Sequence, residues 1–306
     1  MTAAIVALGE PLMELNQTRS DGGGYLPGFG GDTSNAVVAA ARQGAPAAYI
    51  SAVGCDAFGD SLLAMWREEG VDVTHVRRDP GAPTGLYLVS HGADGHRFSY
   101  YRAGSAASRM TTADLPLEAI RTAGIFHCSA ISQAISTTAC DAVFAAIEAA
   151  RGAGVPVSYD TNLRLALWPL ARARAVIEGT AALADIVLPG LDDARQLTGL
   201  TAPEAICDHY LGRGARVVAL TLGAEGVLVA TPEESRRLPG RAVACVDATG
   251  AGDAFDGAFL ARLLAGDDPF TAAAYANAAA ALSTTGYGAV APIPRAAEVR
   301  ALLAHE

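Results

Sequence analysis

Val246–Leu260 reads VDATGAGDAFDGAFL. A short apolar run gives way to small residues and glycines, then to a helical pattern with one early carboxylate, Asp253. Gly250, Ala251 and Gly252 carry almost no side chain, so a phosphate can approach the backbone N–H groups that a first helical turn leaves without partners. With the positive end of the helix dipole, about half an elementary charge, those groups form an anion site. A carboxylate at such a site repels phosphate. It is expected to hold a proton donor or a metal instead, and general base is its natural role.

Upstream of this stretch, strands and helices alternate regularly. Apolar strands at Ile125–Ser129, Val157–Asp160, Asp185–Pro189 and Val217–Leu222 are separated by helices at Cys140–Arg151, Leu170–Ala184, Asp192–Leu197 and Pro203–Leu211. That order predicts an α/β fold, a mostly parallel central sheet with helices on both faces. Ligands then gather at the carboxyl ends of the strands. Asp160, Asn162 and Arg164, Asp192 and Asp193, and Thr221-Leu222-Gly223 all fall there, and the run Val243–Val246 is placed at the same edge.

The first third is built differently. Ile5–Gly9 is a short strand, with Glu14 and Asn16 beyond it and a glycine cluster at Ser20–Gly24 that reads as a loop. Gly28-Phe29-Gly30-Gly31-Asp32-Thr33-Ser34-Asn35 then opens a helix. Asp32 or Thr33 could be its N-cap, while Gly-Gly-Asp at a helix entrance also suits a grip on hydroxyl groups. After an extended segment at Val71–Val76, GLYLVS and RFSYYRAG flank an Asp94-Gly95 hairpin signal, so an antiparallel insertion interrupts the βα units. Tyr87, Tyr100, Tyr101 and Arg102 lie on it. They suit a plain aromatic strand, or a site where Arg102 reads a carboxylate. One domain spanning 1–306 is expected, with a small antiparallel β lid formed by residues 12–30 and 72–106.

Charge narrows the partners. The 32 acids against 22 bases give a net charge of −10, which argues against a nucleic-acid surface. All 22 bases are Arg. The absence of lysine removes a Walker A loop, a protein-kinase ATP lysine, a Schiff-base aldolase and a pyridoxal phosphate enzyme. No apolar run approaches the roughly 18–20 residues that span a bilayer, and no basic segment precedes the N-terminal apolar run, so a cytoplasmic location is expected. Five scattered cysteines read as buried, reduced small hydrophobes.

Gly30-Gly31-Asp32 with Asn35, and Asp247-Ala248-Thr249-Gly250-Ala251-Gly252-Asp253-Ala254-Phe255, together resemble the two signatures of the ribokinase-like (PfkB-type) carbohydrate kinases, and the likeness covers essentially the whole chain. GGDTSN, YYRAGSAAS at Tyr100–Ser108 and DTNLR at Asp160–Arg164 are most similar to the branch that phosphorylates 2-keto-3-deoxygluconate. The resemblance implies ATP and Mg²⁺, and K⁺ as a further cofactor. It implies that Gly31, Asp32 and Asn35 meet sugar hydroxyls, that Tyr87 and Tyr100 line the sugar, and that Arg102 and Arg164 bind its carboxylate. It places Thr221, Gly223, Gly226, Gly250, Gly252 and Asn277 at the nucleotide, and Asp247 with the loop 286–290 at a monovalent cation. Where the family has Asn-x-x-Glu near the metal, this chain has Gly190-Leu191-Asp192-Asp193, so Asp193 stands in the place of Glu with a shorter reach.

The implied reaction transfers the γ-phosphoryl of ATP to the C6 hydroxyl, with Asp253 as base and the N–H groups of 250–253 on the developing charge. Other expected substrates are the galactonate epimer, fructose and ribose. Exposed lid strands suggest a homo-oligomer. A dinucleotide-dependent oxidoreductase is opposed by Phe255 at the third glycine position, and a silent sugar-acid sensor by the intact Asp253.

Overall fold

Ile5–Leu8 is buried on both faces, as a strand must be when helices cover both sides of its sheet. In the computed structural model, which describes residues 4–17, 23–92 and 95–304, this strand, β1, lies well inside a nine-stranded sheet. The remaining strands, in chain order, are β2 (Leu12–Gln17), β3 (Tyr25–Gly30), β4 (Ala47–Gly54), β5 (Val76–Asp79), β6 (Leu86–Gly92), β7 (Gly95–Tyr101), β8 (Ile125–Ser129), β9 (Val157–Asp160), β10 (Ile186–Leu188), β11 (Val217–Thr221), β12 (Gly226–Ala230) and β13 (Ser235–Pro239). The large sheet runs β13-β12-β11-β10-β9-β8-β1-β4-β5. It is parallel from β11 to β5, and β12 and β13 join antiparallel at one edge. The small sheet runs β3-β2-β6-β7, two antiparallel hairpins joined by a parallel pairing of β2 with β6. The α/β architecture expected from the sequence, a mostly parallel central sheet with a small second sheet, is what the structure shows.

Several boundaries differ from expectation. The segment 72–79, expected in the lid, extends the large sheet instead, because β5 pairs in parallel with β4. The run Val243–Val246 is not a strand; Val246 is 45% exposed, and the N–H groups of Val246 and Asp247 donate to Thr284 O at 2.7 and 3.1 Å. The chain is there crossing from the sheet edge to the next helix. Two of the five cysteines, Cys55 and Cys245, are exposed, while Cys128, Cys140 and Cys207 are buried; all are free. Residues 18–22, Ala93, Asp94 and His305 lie outside the described residues, and with them most of the glycine cluster and half of the Asp94-Gly95 signal.

Two helices carry the two glycine-rich stretches and pack closely. Asp32–Arg42 begins at Gly31, and Ala251–Leu264 begins at Gly250. Gly257 is where they touch: a Cβ there would lie 2.1 Å from Ala36 O and 2.6 Å from Ala39 Cβ. Glycine is thus required by approach, and the approach brings residue 35 to residue 253. Gly257→Ala is expected to force the helices apart at a cost of about 1–3 kcal/mol. A lower urea midpoint would read this loss, and an unchanged midpoint would refute the close-contact argument.

Candidate functional site

The first helix is pinned by its polar side chains. Thr33 Oγ1 meets Tyr49 OH at 3.1 Å, and Trp66 Nε1 donates to Ser34 Oγ at 3.0 Å. Its N-cap is Gly31, at φ +101°, with no side-chain capping bond. Asp32 is therefore not used as a cap. Its Oδ2 lies 3.5 Å from Asn162 Nδ2 and its Oδ1 is buried with no protein partner. Gly31 itself cannot carry a Cβ, which would fall 2.2 Å from Glu10 O.

One turn along, Asn35 Nδ2 donates to Asp253 Oδ2 at 2.7 Å, and Asn35 Oδ1 is buried without a partner. The early and late stretches thus meet in a single hydrogen bond. Gly250, the N-cap of the late helix, is left-handed at φ +76°, and loop residue Ala289 lies against it, its O 3.0 Å from where a Cβ would be. Ala251 N–H turns back onto Ala248 O at 3.2 Å, so the donors directed out of the first turn are those of Gly252 and Asp253. Asp247 braces this turn: Oδ1 accepts from Thr249 N and Oγ1 at 2.9 and 2.7 Å, and Oδ2 accepts from Gly288 N at 3.0 Å. Asp247 thus acts on the turn through hydrogen bonds.

The small sheet and the residues just after it supply aromatic and cationic groups. Tyr87 donates to Glu14, and its ring lies tilted against that of Tyr100 with centroids 5.6 Å apart. Arg102 sits 5.5 Å over the Tyr100 ring and pairs with Glu10, which is 1% exposed and also accepts from Ser105 Oγ at 3.0 Å. Arg102 Nε is buried without a partner. Arg164 is half exposed, donates to Leu163 O at 2.8 Å and lies 3.7 Å from Asp193. Asp193 in turn accepts from Leu163 N at 3.0 Å, so it braces the 162–164 turn. No cluster of three metal-ligating side chains occurs among the described residues.

Thr221, at the end of β11, bridges to Gly190, and Gly223 and Gly226 both take positive φ in the turn to β12. Asn277 Nδ2 donates to Pro239 O at 2.6 Å, tying its helix to β13. These residues form a group at the antiparallel edge, apart from the carboxylates. A cavity of about 750 Å³ bordered by Glu14, Phe29, Arg42, Met65 and 287–291 flanks the constellation without containing Asp32, Asn35, Arg102 or Asp253.

The carboxylates feel one another. Burial raises the proton affinity of Asp253 well above the usual carboxylate range; the charge of Asp32 adds to this, and the Asn35 bond opposes it. Asp256, one turn on and not anticipated from sequence, is raised by burial and then by Asp160 and Asp253. Asp160 is pushed up to about 7, by burial first and Asp32 second. A folded-state value above the unfolded one means that Asp160 favours folding below the ordinary carboxylate range, and that this contribution is lost as pH rises through about 7. Asp160→Asn should therefore gain stability relative to wild type between pH 4 and 8, read as the difference of melting temperatures. A difference independent of pH would reject the assignment.

Asp32 Oδ1, Asn35 Oδ1 and Arg102 Nε are among the buried polar atoms left without a hydrogen-bond partner, which a polar ligand or ordered water would satisfy. Beside them stands a glycine-opened helix start suited to phosphate. A polar pocket beside such a helix start suits transfer of a phosphoryl group to a polar acceptor. Comparison with known proteins agrees. The model of the pfkB family carbohydrate kinases matches residues 3–296. The chain is 38% identical to the 2-dehydro-3-deoxygluconokinase of Thermoproteus tenax, across 96% of this chain and 93% of that protein. It is 36% identical to fructokinase-1 of Oryza sativa subsp. japonica, across 98% and 97%. A solved structure of a putative ribokinase II from E. coli, in complex with ATP and Mg²⁺, superposes with a TM-score of 0.92 at 25% identity, covering 99% of this chain and 100% of that one. The chain belongs to the PfkB family and is a carbohydrate kinase. No helix among the described residues is long and apolar enough to cross a membrane.

Glu10, Glu14, Ser105 and Asp256 were not assigned from sequence. Glu10 follows an apolar strand in a Gly-Glu-Pro turn, and only the pairing with a residue 92 positions away gives it meaning.

Proposed function

We propose that this kinase transfers the γ-phosphoryl of ATP to the 6-hydroxyl of 2-keto-3-deoxygluconate. The observation that carries the reading is the Asn35–Asp253 hydrogen bond, formed at a site where the charges of both Arg102 and Arg164 reach Asp32. A polyol bound to Asp32 and Asn35 lies between a carboxylate able to take its proton and arginines able to take its own carboxylate. Asp253 accepts the hydroxyl proton as the oxygen attacks phosphorus. The N–H groups at Gly252 and Asp253 stabilise charge on the transferred oxygens, with Gly250 giving the turn its shape. Tyr87 and Tyr100 cover the sugar and exclude water. The nucleotide extends toward Thr221, Gly223, Gly226 and Asn277. Mg²⁺ bound with the nucleotide would be held mainly by the phosphates, with Asp193 reaching it through water, and would supply neutralisation of their charge.

Fructose is the second reading, because Glu10 neutralises Arg102 and the rice fructokinase is nearly as similar. An ADP-release assay with 2-keto-3-deoxygluconate, its galactonate epimer, fructose and ribose separates them. The gluconate-type acid is expected to give the highest kcat/KM; a preference for fructose or ribose overturns the reading.

A further inference from the structure

Arg102 already has a counterion. Its Nη2 donates to Glu10 Oε2, its side chain is 11% exposed, and the other Glu10 oxygen accepts from Ser105. Glu10 is walled in: Gly31 packs on its carbonyl, and a Cβ at Gly85 would sit 3.4 Å from Oε1. The charged or titratable groups that face it are Arg102 from the end of β7, Asp32 from the start of the first helix and Tyr49 from β4. A substrate carboxylate that docks on Arg102, whose buried Nε has no protein partner, makes two buried anions for one guanidinium, with Asp32 a third nearby. Buried charge without a full counterion is costly, and the group that can relieve it is a carboxylic acid already disposed by burial to hold a proton.

We infer that Glu10 determines the substrate class of this pocket: it is the counterion of Arg102 in the empty site, and it takes up a proton from solvent when a substrate carboxylate replaces it on the guanidinium. A neutral sugar meets a neutral ion pair and calls for no such proton. A sugar acid is bound as the anion, the proton adds to Glu10, and the net charge of the pocket is unchanged. Glu10 acts through Arg102 and is a positioning residue. The inference rests on the sugar-acid reading above.

Titration calorimetry of 2-keto-3-deoxygluconate in buffers of different ionisation enthalpy reads the protons directly. Wild type is expected to take up close to one proton more than Glu10→Gln, in which the amide oxygen keeps the bond from Arg102 but cannot titrate. Wild-type affinity should weaken by up to about tenfold per pH unit on the alkaline side, and that of Glu10→Gln should be nearly flat. Glu10→Asp, which restores a carboxylate, should regain the uptake even if Glu10→Gln folds poorly. Equal proton uptake by wild type and Glu10→Gln, or no uptake in wild type and Glu10→Asp while the acid binds, overturns the inference and leaves the substrate reading standing. Failure of wild type to bind the acid at all overturns both.

Discussion

Asp253→Asn is expected to bind ATP and sugar with near-normal affinity and to lose about 10²–10⁴ of kcat, the range typical of a general base. The substitution is close to isosteric. Asn35 Nδ2 now donates at 2.7 Å to one Asp253 oxygen, so an amide at 253 must turn its own oxygen toward Asn35 and its NH₂ toward the sugar. The hydroxyl then faces a donor and has nothing to receive its proton. The acid side of the pH profile supplies a second readout. Burial and the charge of Asp32 raise the proton affinity of Asp253, so wild-type activity should fall as pH drops through a value above the ordinary carboxylate range. The residual activity of Asp253→Asn should lack that limb. Folding is a separate matter: removing one of several mutually repelling buried carboxylates should leave the melting temperature at pH 8 equal or higher. Near-normal turnover in Asp253→Asn, measured at saturating substrates, would end the general-base assignment.

The backbone of this candidate site was legible where it depends on local rules. Three nearly side-chain-free residues at a helix start have few uses besides close approach, and Gly250 at φ +76° takes the conformation that such a turn needs. The alternation of strands and helices from Ile125 onward likewise carries its own period. What stayed hidden depends on partners far apart in the chain. Glu10 gains its role from Arg102 and Ser105, and Glu14 from Tyr87. β13 is a polar, mostly exposed edge strand, so it lacks the apolar pattern that marks a buried one, whereas Val243–Val246 has apolar residues and no strand. Asp32 could be read as a cap or as a ligand group, and only the geometry of Gly31 separates the two.

Arg102→Ala is expected to raise KM for the sugar acid by about 10- to 150-fold, the loss that goes with one or two hydrogen bonds between charged groups, while kcat changes far less. The asymmetry follows from position. Arg102 lies over the Tyr100 ring, and in its proposed role it would hold substrate equally before and during transfer. The variant also strands Glu10, a fully buried carboxylate, without its cation. Part of any loss therefore belongs to that orphan, and the double variant Glu10→Gln with Arg102→Ala removes it. If Arg102 reads a carboxylate, the double variant recovers stability but still binds the acid weakly. Fructose, with no carboxylate to lose, should be affected within a few-fold by either change. Arg164→Ala gives the internal comparison: that side chain is half exposed and 3.7 Å from Asp193, so solvent screens it and its removal should cost the acid less than removal of Arg102. Equal losses for acid and neutral sugars in Arg102→Ala would make the arginine a structural partner of Glu10 alone, and the pocket would then be one for neutral sugars.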